Sequence, residues 1–154
     1  MGFGLPAAIG AKFAKPNVNV FDIDGDGSFQ MTIQELETIR SHKIKITPII
    51  FNNSFLGMVR QWLEFFQEKR YSQVHLGNEI DFVKISQAYH LNGIRVERPS
   101  EIADAIKQAI KADKTTIIDV KVEEESNVLP MIPPGGNFKQ AFGQCMRAPG
   151  QYFG

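Results

Sequence analysis

Residues 17–29 have the sequence NVNVFDIDGDGSF. The part 17–23 is rich in β-branched and aromatic residues, which is typical of a short strand, and it leads into a turn in which Gly25 and Gly27 flank Asp26. Glycine allows tight backbone conformations, including positive φ, in such a turn. Ligands of open parallel sheets bind beyond the carboxyl ends of the strands. This stretch therefore predicts a strand that ends in an acidic turn suited to ligand binding.

Strand-like and helix-like segments alternate along the rest of the chain. Further β-rich runs predict strands at 46–51, 93–97 and 115–122. Helical spacing of apolar residues, or alanine content in the first case, predicts helices at 5–15, 32–42, 58–69, 81–90 and 101–112. Ser100 is the expected N-cap of the last helix. Such alternation with short connections is typical of an α/β domain in which helices cover both faces of a parallel sheet. After Glu125, the sequence NVLPMIPPGGNF predicts an extended arm.

The bulk composition limits the classes of function. The 154 residues fit one domain, and 17 basic against 17 acidic side chains give a net charge of zero. This balance argues against a nucleic acid or an acidic membrane as partner, because both favour a basic excess. No run of about 18 apolar residues predicts a membrane span. The single cysteine, Cys145, cannot form an internal disulfide, and we expect it to be inert. Nothing in the sequence indicates secretion, so we expect a cytoplasmic protein, with an organelle left open.

A second polar pair, Asn52 and Asn53, follows the next predicted strand. The 24 positions that separate Gly27 from this pair match the length of one βαβ crossover, which would place Asp26 and Asn53 side by side at neighbouring strand ends. Carboxylate and amide oxygens are ligands of Mg²⁺, which usually shares its shell with substrate or cofactor phosphates. The spacing therefore predicts a Mg²⁺ site, next to backbone amides of Gly27 and Ser28 that are placed to contact a diphosphate.

The GDG turn, a crossover of this length and the NN pair together resemble the thiamine diphosphate (ThDP) binding motif. The flanking segments are similar, in the same order, to segments of acetohydroxyacid synthase (acetolactate synthase) large subunits: MGFGLPAAIGAKFA, GDGSFQMTIQELETI, LGMVRQWLEFFQEKRYS and NVLPMIPPGG. The resemblance covers residues 1–136 and implies the C-terminal ThDP diphosphate-binding domain, without the first elements of the family's fold. Residues 137–154 are then a C-terminal tail, for which we expect loose order.

The resemblance also implies roles for individual residues. The side chains of Asp26 and Asn53 and the backbone carbonyl of Phe55 would bind Mg²⁺. Met1 matches a residue that supports the bent cofactor in the family. Trp62, within GMVRQW, matches a residue associated with preference for 2-ketobutyrate as second substrate and with herbicide binding. Further cofactor contacts would come from Gly25, Gly27, Ser28, Leu56, Gly57, Met58 and Val59. No catalytic side chain is expected in this chain.

The implied activity is that of a ThDP- and Mg²⁺-dependent transferase in branched-chain amino acid biosynthesis. Such an enzyme decarboxylates a 2-keto acid and joins it to a second one as acetolactate or acetohydroxybutyrate. Family enzymes use a glutamate from the pyrimidine-binding domain of another subunit, so the implied partners are that domain and further copies in a homo-oligomer. The resemblance implies that any FAD of the complete enzyme would be bound outside this segment. We therefore expect the isolated chain to be inactive.

Other interpretations stay open for the same residues. DIDGDG also resembles the start of an EF-hand loop, but the twelfth position from Asp22 is Ile33, where a bidentate Glu is needed. Gly2, Gly4 and Ala7 form a weak dinucleotide-binding pattern, and ordinary turn chemistry explains Asp, Asn and Gly at strand ends. Among functions, the alternatives are another ThDP-dependent 2-keto acid decarboxylase and a non-catalytic ThDP-binding module.

Overall fold

The computed structural model describes residues 1–77 and 80–143, and within these residues all paired strands run parallel. The strands pair in the order β1-β2-β4-β3 and are β1 (Phe21–Gly25), β2 (Thr47–Asn52), β3 (Asn92–Val96) and β4 (Thr116–Lys121). The helices are α1 (Gly4–Ala14), α2 (Asp26–Gln30), α3 (Glu35–Ser41), α4 (Gly57–Phe66), α5 (Phe82–Ala88) and α6 (Ile102–Lys111). The predicted α/β class is confirmed; the short α2 is the helix that the sequence pattern missed.

Helices lie on both faces of the sheet because the chain reverses its direction across it. From β1 to β2 and on to β3, the chain crosses the sheet in one direction, and α3 and α5 pack on one face. From β3 to β4 the chain crosses back in the opposite direction, and α6 packs on the other face. Right-handed crossovers between parallel strands require this change of face. The larger core includes Leu5, Phe29, Leu36, Ile39, Ile50 and Phe82. The smaller core, under α6, contains Val96, Ala105, Ala109, Ile118 and Val120.

One half of the face that carries α6 is uncovered. Helix α6 packs on β3 and β4, whereas β1 and β2 leave Phe21, Ile23 and Phe51 with 40%, 63% and 47% of their surface exposed. The outer edge of β1 has no neighbouring strand among residues 1–77 and 80–143. Parallel sheets normally have both faces covered. We call the surface formed by Phe21, Ile23 and Phe51 the open sheet face.

The predicted N-cap at Ser100 is wrong. This residue lies inside a 3₁₀ turn, Pro99–Glu101, that precedes α6. Proline is favoured in the first turn of a helix because its φ is already helical, so the helical conformation begins upstream of Ser100. Helix α6 has no side-chain N-cap, and at the start of the 3₁₀ turn the carboxylate of Glu101 accepts hydrogen bonds from the backbone N–H groups of Glu97 and Arg98 at 3.0 and 3.1 Å.

The extended arm predicted after Glu125 packs against α4. Within it, Met131 forms an antiparallel bridge with Phe142, whose ring centroid lies 5.4 Å from that of Phe65. The first part of the predicted tail, residues 137–143, thus contacts the domain. Residues 144–154, and with them Cys145, lie outside the described residues.

No helix in residues 1–77 and 80–143 is long and apolar enough to cross a bilayer. Helix α1, with 11 residues, rises by about 1.5 Å per residue and falls well short of a hydrocarbon core of roughly 30 Å.

Replacement of Gly93 by alanine should lower the free energy of unfolding by about 1–3 kcal/mol. A Cβ at Gly93 would lie 2.2 Å from Ser86 Oγ and 2.9 Å from Val83 Cα, so β3 and α5 would have to separate. Gly10→Ala is the matched control, because its Cβ would meet no atom within 4 Å; it should stabilise α1 by about 0.5–1 kcal/mol. Urea denaturation measures both changes. A Gly93→Ala chain as stable as the parent would contradict this packing.

Candidate functional site

A cavity of about 460 Å³ lies beyond the carboxyl ends of β1 and β2. Four parts of the chain line it: the N-terminal Met1, the turn that begins α2, the end of β2 with its connection into α4, and the residues that follow β4. These segments are far apart in sequence. They meet because the carboxyl ends of parallel strands open at one edge of the sheet.

Asp26 is the buried acidic group of this cavity, with 3% of its surface exposed. Burial raises the pKa of its carboxyl above the ordinary value. Backbone N–H groups of Gly27, Asp26 itself and Ser54 donate hydrogen bonds that lower the pKa, and the charge of Lys121 also lowers it, but burial outweighs them. A cation bound here would offset the cost of burying the carboxylate, since a nearby opposite charge favours the ionised form.

The residues after β2 turn sharply into the cavity wall. Ser54 has a φ of 60°, in the left-handed region that is uncommon for residues other than glycine. Its carbonyl accepts a hydrogen bond of 2.7 Å from the N–H of Leu76, which holds the turn. The side-chain Oδ1 of Asn53 accepts a hydrogen bond of 3.2 Å from the N–H of Phe55. Asn53 and Phe55 therefore lie on one tight turn beside Asp26.

The N-terminal residues and the GDG turn complete the lining. At Gly27 the walls approach closely, because a Cβ there would lie 2.7 Å from Leu56 Cδ2 and 3.0 Å from Leu76 Cδ1. The hydroxyl of Ser28 accepts a hydrogen bond of 2.8 Å from the N–H of Gly2, which brings Met1 to the cavity. The absence of a side chain at Gly27 therefore keeps this part of the cavity open.

The structure brings together the residues that the sequence assigned to the cofactor. The following eleven line the cavity: Met1, Gly25, Asp26, Gly27, Ser28, Asn53, Phe55, Leu56, Gly57, Met58 and Val59. Trp62, assigned to the substrate, is not among the lining residues. It lies one turn beyond Met58 on α4, is 39% exposed, and its ring centroid is 5.3 Å from that of Phe66.

Four lining residues were not predicted: Phe51, Val122, Glu123 and Ser126. Phe51 ends an apolar strand, so the sequence favoured a core role. Val122 is the last residue of the predicted strand 115–122, and no binding role was predicted for residues 123–126, although they follow a strand and the same carboxyl-end argument applies to them. The missing information is that β4 pairs directly with β2.

Two further carboxylates, Asp22 and Asp24, lie on β1 below the cavity and face the start of α1. A Cβ on Gly4 would lie 2.4 Å from Asp22 Oδ1 and 3.1 Å from Asp24 Oδ2, so this helix start approaches both carboxylates closely. The Oδ2 atoms of both residues have no hydrogen-bond partner in the described part of the chain. Burial, with the neighbouring charge of Asp24 as the second cause, raises the pKa of Asp22 to about 6.

Sequence comparison agrees with this geometry. Residues 1–120 match a family model described as "Thiamine pyrophosphate enzyme, C-terminal TPP binding domain", in which TPP is a synonym of ThDP. The chain therefore belongs to the family of thiamine pyrophosphate enzymes, as the C-terminal TPP-binding domain. The predicted resemblance is confirmed. The EF-hand interpretation is wrong, since the strand β1 leads into the acidic turn where an EF-hand has a helix.

Within the family, the chain is similar to acetolactate synthase large subunits. It is 46% identical over 136 residues to a probable acetolactate synthase large subunit of Methanocaldococcus jannaschii, covering 88% of this chain and 23% of that protein. It is 39% identical over 137 residues to the acetolactate synthase isozyme 2 large subunit of Escherichia coli (strain K12), covering 89% and 25%. A third relative, acetolactate synthase 1, chloroplastic, of Oryza sativa subsp. japonica, is 45% identical over 146 residues, covering 90% and 23%. The chain spans about a quarter of the length of these relatives.

A solved structure confirms the fold. The ThDP-dependent 4-hydroxybenzoylformate decarboxylase of Rhodococcus jostii RHA1 superposes with a TM-score of 0.75 at 33% sequence identity. The similarity covers 80% of this chain and 23% of that chain.

The raised pKa of Asp22 predicts a pH-dependent loss of stability. Because the folded pKa of about 6 exceeds the ordinary 3.8, the folded state holds its proton where the unfolded state has lost it. Stability should therefore fall as pH rises from about 4 to about 6, and the cost should persist above that window. Asp22→Asn should remove this fall and stabilise the chain at pH 7 by on the order of 2 kcal/mol.

Urea denaturation of parent and variant between pH 4 and pH 7 measures this effect. Asp104→Asn, whose parent side chain is 74% exposed on α6, is the matched control and should change the free energy of unfolding by less than about 0.5 kcal/mol. A parallel fall in parent and Asp22→Asn would refute the assignment to Asp22.

Proposed function

We propose that this chain supplies the diphosphate- and Mg²⁺-binding part of an acetolactate synthase. The observation that carries the proposal is the convergence of the eleven motif residues on one cavity at the carboxyl ends of β1 and β2. Turn chemistry alone explains Asp, Asn and Gly at strand ends, but it gives no reason for these segments to line a shared cavity. Similarity to acetolactate synthase large subunits over about nine-tenths of the chain supports the specific activity.

The donor set at the cavity fits Mg²⁺ bound together with a diphosphate. Asp26 and Asn53 would bind the ion through side-chain oxygens, and Phe55 through its backbone carbonyl. These are hard oxygen ligands, and Mg²⁺ usually completes its shell with phosphate oxygens and water.

Other lining residues would bind and orient the organic part of the cofactor. The glycines at 25 and 27 let the backbone approach the diphosphate, with Ser28 beside it. Leu56, Gly57, Met58 and Val59 would border the rings and exclude water, and Met1 would support the bent shape. When bound, ThDP supplies the electron sink for decarboxylation of a 2-keto acid. We assign Trp62, one turn from the cavity, to the second substrate.

The substrate class proposed is a pair of 2-keto acids, joined to acetolactate or acetohydroxybutyrate in branched-chain amino acid biosynthesis. The alternative is another ThDP-dependent 2-keto acid decarboxylase, which the likeness to the Rhodococcus decarboxylase favours. The segment GMVRQW, with Trp62, favours the synthase. A second alternative is a non-catalytic ThDP-binding module. Turnover in a complete assembly would exclude it.

A complete enzyme would need more protein than these residues. We propose that a pyrimidine-binding domain of another subunit supplies the glutamate that activates the cofactor, within a homo-oligomer. Any FAD site would lie outside this segment. We assign the open sheet face to the remaining part of the same domain, because Phe21, Ile23 and Phe51 are exposed apolar residues on a parallel sheet that is otherwise covered. We propose that the complete enzyme is cytoplasmic or lies in an organelle.

Asp26→Ala should abolish Mg²⁺-dependent binding of ThDP, because it removes the buried carboxylate proposed as a metal ligand. Isothermal titration of ThDP in excess Mg²⁺ measures the dissociation constant, and circular dichroism checks the fold. Asp26→Asn, which keeps the shape, should also weaken binding strongly. Asp104→Ala is the exposed control and should bind like the parent. Unchanged affinity in both Asp26 variants would overturn the metal assignment.

The purified chain should not convert pyruvate to acetolactate, even with ThDP and Mg²⁺ bound. The proposed activating glutamate belongs to another domain, so the cofactor would be held without being activated. A colorimetric acetolactate assay, run beside a complete acetolactate synthase as positive control, measures this. Turnover by the isolated chain would show that the assignment of the glutamate to a partner is wrong.

A further inference from the structure

Two buried polar side chains of α4 hold the segment that follows β4. Arg60 and Gln61 are each 1% exposed, although both follow directly after the cavity residues Met58 and Val59. Their partners lie in residues 125–131, more than 60 positions later in the chain. Arginine is almost never fully buried unless it is paired. The reason for this burial therefore lies in the contacts between α4 and the later segment.

Arg60 closes a three-membered network with Glu64 and Asn127. Its Nη1 donates to Glu64 Oε2 at 2.9 Å, and its Nη2 donates to Asn127 Oδ1 at 2.5 Å and to the carbonyl of Glu125 at 2.7 Å. The amide of Asn127 donates in turn to Glu64 Oε2 at 3.0 Å. The hydrogen bond from Asn127, together with Arg60, lowers the pKa of Glu64. The rings of Phe55 and Tyr71 each lie 6.0 Å from the guanidinium carbon.

Gln61 binds the backbone of the same segment. Its Oε1 accepts a hydrogen bond of 2.6 Å from the N–H of Val128, and its Nε2 donates to the carbonyl of Val128 at 3.1 Å. The side-chain amide thus pairs with both backbone groups of one residue, as a neighbouring strand would. The same Nε2 lies 3.1 Å from the sulfur of Met131.

We propose that Arg60 and Gln61 are positioning residues that set the width of the cofactor cavity; this inference rests on the proposed function. One wall of the cavity is the start of α4 with Met58 and Val59, and a second wall is formed by Val122, Glu123 and Ser126. Arg60 and Gln61 join these two walls immediately beside the cavity. Neither residue lines the cavity, so both act through the residues that do.

The hydrogen bonds of Arg60 hold the two walls at a fixed distance, although the walls come from distant parts of the sequence. A guanidinium presents several donors in a rigid plane, so its acceptors must hold one arrangement. A buried arginine without these acceptors is strongly disfavoured, because the charge loses its water without gaining partners. The segment 125–128 therefore stays on α4 as long as Arg60 is buried. Loss of the contacts would free the second wall and leave the Mg²⁺ ligands in place.

The test combines the affinity for ThDP with a local measure of the second wall. ThDP is titrated into the full 154-residue chain in excess Mg²⁺ at a temperature at which every variant is folded, and deuterium exchange is followed in residues 125–131 without ThDP. Arg60→Met should raise the dissociation constant for ThDP at least tenfold and accelerate exchange in this segment. Arg60→Lys, which keeps the charge but not the fork, should give an intermediate affinity. Arg70→Met, from a side chain 72% exposed, is the matched control and should change neither measurement.

The outcomes separate the inference from the proposed function. If the parent chain does not bind ThDP, the proposed function is overturned and the inference with it. If the parent binds and Arg60→Met frees residues 125–131 at unchanged affinity, the inference alone is overturned. If Arg60→Met does not fold, Asn127→Ala breaks the same network from the other wall and decides the question: weaker ThDP binding supports the inference, and unchanged binding refutes it.

Discussion

The direction of the strands is the constraint on which the rest of this structure depends. Since the paired strands are parallel, each crossover must be right-handed, and each carboxyl end opens at the same edge of the sheet. The first consequence places α6 on the face opposite to α3 and α5. The second brings Asp26 from the end of β1 beside Asn53 from the end of β2. The contacts that form the sheet are thus sufficient to bring these two side chains together.

The free-energy cost of burying carboxylates falls on β1 and the residue that follows it. Three carboxylates, Asp22, Asp24 and Asp26, occupy alternate positions of one short segment, and the start of α1 closely approaches the first two. Burial of a carboxylate opposes folding unless hydrogen bonds or an opposite charge compensate it. At Asp26 the cavity provides a reason for that cost, because a cation can compensate the charge. Stability and ligand binding therefore make opposite demands on the same segment, as is common at functional sites.

Much of this architecture could be predicted from the sequence, and the failures have physical causes. Element types followed from apolar spacing, and the GDG turn and NN pair predicted Asp26, Gly27, Ser28 and Asn53 from local sequence. The family resemblance implied the other predicted lining residues. The membership of Val122, Glu123 and Ser126 in the cavity depends instead on β4 pairing with β2, which sequence order does not reveal. Ser100 failed as a cap because Pro99 moved the start of the helical turn. The burial of Arg60 depends on acceptors more than 60 residues away, so the local sequence gives no sign of it.

The position of β4 in the sheet also has a consequence for the order in which the chain can assemble. Among the strands of the described residues, β4 is the last to be synthesised, yet it lies between β2 and β3. During translation, β1 and β2 can pair early, but β3 has no strand to join until residues 116–121 have left the ribosome. Chains made from the N-terminus fold domain by domain, and exposed strand edges in an unfinished sheet are sites of misassembly. A chain that ends before residue 116 would thus leave β3 unpaired beside the β1–β2 pair, with unsatisfied strand edges, whereas one that ends after residue 143 would retain all four strands of the described residues.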